Sequence, residues 1–480
     1  LQGCCPSSPY PLSAECLRTW MPKKPAGPAW AELLGPSAAK DVGTALQGVL
    51  AALEAAEGPE RLDAEGLLQA LGSALQSSDS HRVLVGSAAL LAALGDEDAQ
   101  ALGVAGLAGD HVYAGLAAAV ASGAPLQVAA AARSLCALTA GAAAHRSAGD
   151  DRHDRQTRSR KVAPQLRAAL EAHPRSVQVQ EAVAEGCCEL LSCEQLPLGG
   201  SVGTLWALLW PLAVHPRDSV AEAAELCLCK LTWCAKAPQA GGGSGGGPDP
   251  QHAVPSAEEA IATACTEFAN VFRVVEAAAR REAGATAASR LAQRQCVRLL
   301  SVAHGLLRHG QSSVQAYGRR DKGYCLDDSI VVAPVAKLAA TIDSVVTAVF
   351  RDSGTAAQVL GSARGGAAGG LAEVLEEALL LAAALAETAA AALLPQAARV
   401  RRWLELLTEV PPSTHWRHCR MTCSLALALS QAAPAVLLSR PLVGRLVSFA
   451  LALMQPGDQA AARRGSPAAS LPRAGAGGGG

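Results

Sequence analysis

Val179-Gln-Glu-Ala-Val-Ala-Glu-Gly-Cys-Cys-Glu-Leu-Leu-Ser-Cys193 returns 41 residues later as Val220-Ala-Glu-Ala-Ala-Glu-Leu-Cys-Leu-Cys-Lys-Leu-Thr-Trp-Cys234. At that offset Val179 meets Val220, Glu181 meets Glu222, Ala182 meets Ala223, Cys188 meets Cys229, Leu190 meets Leu231 and Cys193 meets Cys234. Each copy follows a His-Pro-Arg turn, His173 to Arg175 and His215 to Arg217. Upstream, Leu84 to Leu94 and Val128 to Leu138 form a looser pair at an offset of 44, with Ala88 over Ala132, Leu91 over Leu135 and Leu94 over Leu138. A unit of this size holds two or three helices and cannot hide its apolar faces alone. Copies set side by side share a continuous core.

Composition carries the same reading along the whole chain. Half of the 480 residues are apolar, yet aromatics make up only 3%, and isoleucine occurs only at Ile261, Ile330 and Ile342. The apolar content is Ala and Leu, which favour helix, and not the β-branched and aromatic residues that strands favour. A chain this long exceeds one ordinary core, so several domains or a repeat array are expected. Few bulky or aromatic groups remain to line a small-molecule pocket, which argues against an enzyme.

A period of about 40 to 47 residues resembles the armadillo/HEAT superfamily, over roughly residues 41 to 455. The resemblance implies an all-α fold, a right-handed α-solenoid in which the last helix of each unit lines a concave face. Side chains on that face would hold a protein partner. Importin-type members grip extended peptides with a ladder of asparagines; this chain has one, Asn270, so that mode of cargo binding is disfavoured.

Punctuation divides the chain. Residues 1–40 read as an irregular arm, with Pro6, Pro9, Pro11, Pro22, Pro25, Pro28 and Pro36 blocking helix. Residues 41–236 read as a first helical block. Residues 237–255 read as a flexible linker, with Gly241 to Gly247 flanked by Pro238, Pro248 and Pro250. Residues 256–455 read as a second block, with a further Gly-rich break from Gly361 to Gly370. The Ala/Gly/Arg-rich stretch 456–480 reads as disordered. No transmembrane span is expected, because the most apolar stretch, Leu379 to Leu394, is largely Ala and carries Glu387. No basic start precedes an apolar run, so no signal peptide is read. With 15 cysteines, an odd number, mostly inside helical pattern, a reducing compartment is expected, the cytoplasm first and the nucleus or an organelle next.

Three clusters invite chemistry. Asp150-Asp-Arg-His-Asp154 matches the magnesium-binding pattern of all-helical prenyl and terpene synthases. The segment Gly149 to Lys161 reads as a solvated charged loop, though, and Asp327-Asp328 does not complete the second motif those enzymes use. Cys187, Cys188 and Cys193 with Cys227, Cys229 and Cys234 supply six thiols without the Cys-x-x-Cys spacing of structural zinc sites, so core packing is the better reading. His415, His418, Cys419 and Cys423 are the better metal candidates, but a surface histidine near a helix start is the plainer account. Gly-x-Ser-x-Gly occurs at Gly199 to Gly203 and at Gly242 to Gly246, but no strand is read before either, so neither makes a nucleophile elbow, and Walker patterns are missing. The glycine linker follows no strand, so it is no dinucleotide loop. No catalytic, cofactor or metal residue is therefore expected.

Charge gives the remaining clue. The net charge of -1 provides no field toward nucleic acid or membrane. Arg290, Arg294 and Arg298 fall at i, i+4 and i+8, one row on a helix, where like charges repel. An acidic partner, or carboxylates such as Glu276 or Glu282 on a neighbouring helix, would offset that repulsion. Arg319, Arg320, Arg401 and Arg402 could extend the surface, and the loop Gly318 to Asp328 stands out for its polarity. The reading is a non-catalytic protein-binding scaffold. The alternatives are a magnesium-dependent diphosphate enzyme using Asp150, Asp151 and Asp154, and a nucleic-acid-binding helical repeat protein.

Overall fold

The computed structural model describes residues 30–36, 41–55, 63–96, 100, 105, 108–144, 152–192, 201–236, 255–280, 286–317, 332–351, 356, 359, 367–410, 416–432, 434 and 439–454. Every regular element among them is helical. Two compact units are resolved: residues 1–275 with 286–334, and residues 276–285 with 335–480.

In the first unit the helices are α1 (Val42–Glu54), α2 (Ala64–Leu75), α3 (Ser80–Gly95), α4 (Asp110–Ser122), α5 (Pro125–Ala144), α6 (Arg152–Ala172), α7 (Val177–Ser192), α8 (Ser201–Ala213), α9 (Asp218–Lys236), most of α10 (Ala257–Arg280) and α11 (Ala287–Tyr317). Their starts are written locally. Asp41 accepts a hydrogen bond from the Thr44 amide, Asp63 from that of Gly66 and Asp79 from that of His81, each satisfying a donor that the first turn leaves open. At α10, Ser256 and Glu259 cap reciprocally: the Ser256 amide donates to Glu259 Oε2 at 2.9 Å, and the Glu259 amide donates to Ser256 Oγ at 3.2 Å.

The helices of this unit alternate between two rows. Along one row α2 packs on α4, α4 on α6 and α6 on α8. Along the other α1 packs on α3, then α3 on α5, α5 on α7, α7 on α9 and α9 on α11. The hairpin pairs α2–α3, α4–α5, α6–α7 and α8–α9 tie the rows together. The sequence copies occupy consecutive members of the odd row: the looser pair lies on α3 and α5, the closer pair on α7 and α9. Most of their repeated apolar positions form the core: Ala132, Leu135, Leu138, Val179, Leu190, Val220 and Leu231 are buried, while Ala88, Leu91 and Leu94 of α3 are half-buried. Small residues let the row close up. A Cβ on Gly186 of α7 would lie 2.8 Å from Cys136 Sγ of α5, inside contact distance.

In the second unit, α12 (Val332–Val349, joined here from Val335), α13 (Ala367–Thr388), α14 (Ala397–Glu409), α15 (Trp416–Ala432) and α16 (Arg440–Met454) pack with α13 along α15 and α14 against α15 and α16. The buried Trp403 of α14 donates from Nε1 to Asp343 of α12 at 2.9 Å, and Arg399 lies 3.7 Å from the same carboxylate. Burial explains the apolar run near Leu379: Leu379, Leu381, Ala384 and Leu385 all face core. Among the described residues no helix is long and apolar enough to cross a membrane.

Local readings differ from the structure at three places. Arg152 to Lys161, read as loop, forms the first half of α6; its Arg, Gln and Lys residues are sound helix formers, and neither Gly nor Pro interrupts them. The Gly-rich break ends earlier than expected, because α13 begins at Ala367; residues 361–366 lie outside the described set. The arm also contains a short helical turn, Trp30–Leu33. The linker from 237 to 254 and the tail from 455 lie outside the described residues.

Candidate functional site

Charged side chains collect along the outer edge of the odd row. The apolar period of α7 buries Val179, Val183, Cys187 and Leu190, which leaves Glu181, Glu185 and Glu189 together at i, i+4 and i+8. In α9, burial of Val220, Ala224, Cys227 and Leu231 leaves Asp218, Glu222 and Glu225 outward. In α11 the outward row is Arg290, Arg294 and Arg298. Consecutive helices then pair across the edge. Arg133 of α5 pairs with Glu185. Arg298 pairs with Asp218 and lies 3.9 Å from Glu222. Ser301 Oγ donates to Glu225 at 2.8 Å.

Arg298 answers the question posed by the arginine row. Only 13% of its side chain is exposed, against 79% for Asp218 and 66% for Glu222. Its stem is held in the packing and its guanidinium reaches back to α9. The carboxylates belong to α9, and not to Glu276 or Glu282: Glu276 pairs with Arg351 in the second unit, and Glu282 lies outside the described residues. Arg290 and Arg294 are exposed, and among the described residues no ion pair engages either guanidinium. Arg401 is half-buried and donates from Nε to the Ala397 carbonyl at 3.3 Å; Arg402 is exposed. Both belong to the second unit. Arg319 and Arg320, with the loop around them, lie outside the described residues.

The crowded acids of α7 titrate high. Loss of surrounding water pushes the Glu189 carboxyl up to about 7, with Arg133 opposing and Glu185 adding to the rise. Glu185 is raised for the same reason, again against Arg133. The strip is therefore more anionic at alkaline than at acid pH.

No described set of three His, Cys, Asp or Glu side chains is placed to hold a metal ion. Asp150 and Asp151 lie outside the described residues; Asp154 falls on α6, but its side chain does not belong to the described set. His415 lies outside as well. Of its neighbours, Cys419 is buried and Cys423 exposed. Among the repeated cysteines, Cys187, Cys227 and Cys229 are buried within the odd row, as core packing requires. The arginine row was legible in sequence. Its partners Asp218 and Glu222 were not, although the acidic i, i+4, i+8 row of α7 stood within the quoted repeat.

No protein-family model matches the chain, and no curated protein matches it. Among solved structures, a crystal structure titled only as an engineered protein aligns at 15% identity over 85% of this chain and all of its own. Its TM-score of 0.22 is too low to bear on fold or function.

Proposed function

We propose that the chain is a non-catalytic scaffold of the armadillo/HEAT kind, an α-solenoid that holds a protein partner through its concave face, lined by the odd helix row. On this reading the solenoid is right-handed and built in two blocks, and it works in a reducing compartment such as the cytoplasm. The observation that carries it is the alternation of two helix rows in which the sequence copies fall on consecutive members of one row. That arrangement presents equivalent side chains at regular intervals. The edge of that row carries acidic groups on α7 and α9 beside the exposed cations Arg290 and Arg294. Such a surface recognises a partner of mixed charge, with the arginines placed for its carboxylates.

The test is affinity purification of the full chain from its native cell, followed by mass spectrometry, against the double variant R290E/R294E. Each lost contact is worth on the order of 1 kcal/mol, so recovery of a true partner should fall roughly tenfold or more, with helicity unchanged by circular dichroism. Equal recovery of every protein with both forms would remove the arginines from the interface.

A further inference from the structure

Cys188 of α7 and Cys227 of α9 stand face to face. Their sulfurs are 3.0 Å apart, about 1 Å beyond a disulfide bond of ~2.05 Å. Neither is the repeat equivalent of the other, since Cys188 aligns with Cys229. The meeting arises because α9 packs on α7 with a shift of two residues. Each thiol also reaches the opposite backbone: Cys188 donates to the Ala223 carbonyl at 3.2 Å, and Cys227 lies 3.5 Å from that of Ala184. Cys188 is half-buried, so a small oxidant can reach it, whereas Cys227 is fully buried. We propose that this pair is a hydroperoxide-oxidisable dithiol that closes to a disulfide and ties α7 to α9.

The two thiols differ in the way such a pair needs. The hydrogen bond from Cys227, helped by the Lys230 ammonium, lowers the Cys188 thiol, while burial pushes Cys227 well above the ordinary range. Burial likewise raises the other core thiols, Cys136, Cys187 and Cys229. Cys188 is thus the attacking sulfur and Cys227 the resolving one. The Cys188 thiolate attacks the hydroperoxide, the O–O bond breaks, and an alcohol (water, for hydrogen peroxide) leaves with the thiol proton. Cys188 becomes a sulfenic acid. The Cys227 sulfur then attacks Cys188 Sγ, the S–O bond breaks, and water departs with the Cys227 proton. Each sulfur gives up one electron and the peroxide takes two. The product fixes the spacing between Glu185 and Glu189 on one helix and Asp218 and Glu222 on the next.

The proposal stands independently of the partner reading. Its test uses the reduced full chain, treated with a few equivalents of hydrogen peroxide, alkylated and digested with trypsin, which cuts at Arg217 and so separates the two cysteines. The expected result is a cross-linked peptide pair, assigned by fragmentation to Cys188 and Cys227, with two fewer alkylatable thiols and full reversal by dithiothreitol. C227A should instead accumulate a dimedone-trapped sulfenic acid at Cys188, and C188S should leave Cys227 reduced. Quantitative alkylation of Cys188 in the treated parent, its over-oxidation without a cross-link, or an earlier cross-link elsewhere would overturn the proposal; the map of the parent decides even if a variant fails to fold.

Discussion

Arg298→Ala separates the structural member of the arginine row from the two exposed ones. The loss has two parts. With 13% of its side chain exposed, Arg298 buries roughly two methylenes of its stem, at about 0.8 kcal/mol each. Its ion pairs reach carboxylates that are 79% and 66% exposed, so screening by water holds their contribution to about 0.5 kcal/mol. The sum is about 2 kcal/mol. At roughly 2 °C per kcal/mol for a large domain, the melting midpoint should fall by about 4 °C. R290A and R294A should stay within about 0.5 kcal/mol of the parent. The assay is thermal unfolding by circular dichroism on all three variants, compared by midpoint because two units need not unfold together. A cycle with D218A should give a coupling of about 0.5 kcal/mol at low salt that vanishes at ~1 M, where the screening length is about 3 Å. If R298A melted with the parent while R290A or R294A lost several degrees, the division of the row into tie and contact would be refuted.

Three further outcomes follow from the packing and titration. Because the folded Glu189 carboxyl holds its proton up to about 7 while the unfolded one releases it near 4.5, its contribution to stability falls as pH rises through that window. E189Q should therefore raise the midpoint at pH 8, by less than about 1 kcal/mol since Glu189 is exposed, and leave it unchanged at pH 4; a gain at pH 4 would contradict the assignment. In the second unit, W403F removes the hydrogen bond to Asp343 and part of a buried ring, for a loss of about 2 kcal/mol. Urea unfolding checks it, and a D343A background, which takes away the accepting oxygen, should shrink the loss by about half. G186V forces atoms onto Cys136 and should cost about 1–3 kcal/mol; C136A should restore part of that, and an additive double variant would show that the contact is not the cause.

The residues that could be read in sequence and those that could not divide along one physical line. Helix type follows from local chemistry: Ala and Leu in place of Ile and aromatics, an aspartate or serine at the starts of α1, α2, α3 and α10, a His-Pro-Arg turn before α7 and α9. Those signals act within a few residues and survive without tertiary context. The 41-residue recurrence reached further, because equivalent helices of one row must bury equivalent faces; the copies accordingly lie on α7 and α9. The pairs that make the candidate surface need one more quantity, the axial shift between neighbouring helices. That shift is set by how side-chain ridges of one helix settle into grooves of the next, and no single stretch encodes it. Cys188 aligns with Cys229 in sequence yet meets Cys227 in space. Arg298 finds Asp218, 80 residues away, while Glu276, eleven residues before the start of α11 at Ala287, turns to Arg351. A two-residue shift between α7 and α9 therefore decides both whether a dithiol forms and which carboxylates are left outward for a partner. Substitutions that alter the packing at Gly186 or Cys227 should change the surface chemistry of the strip without touching a single charged residue.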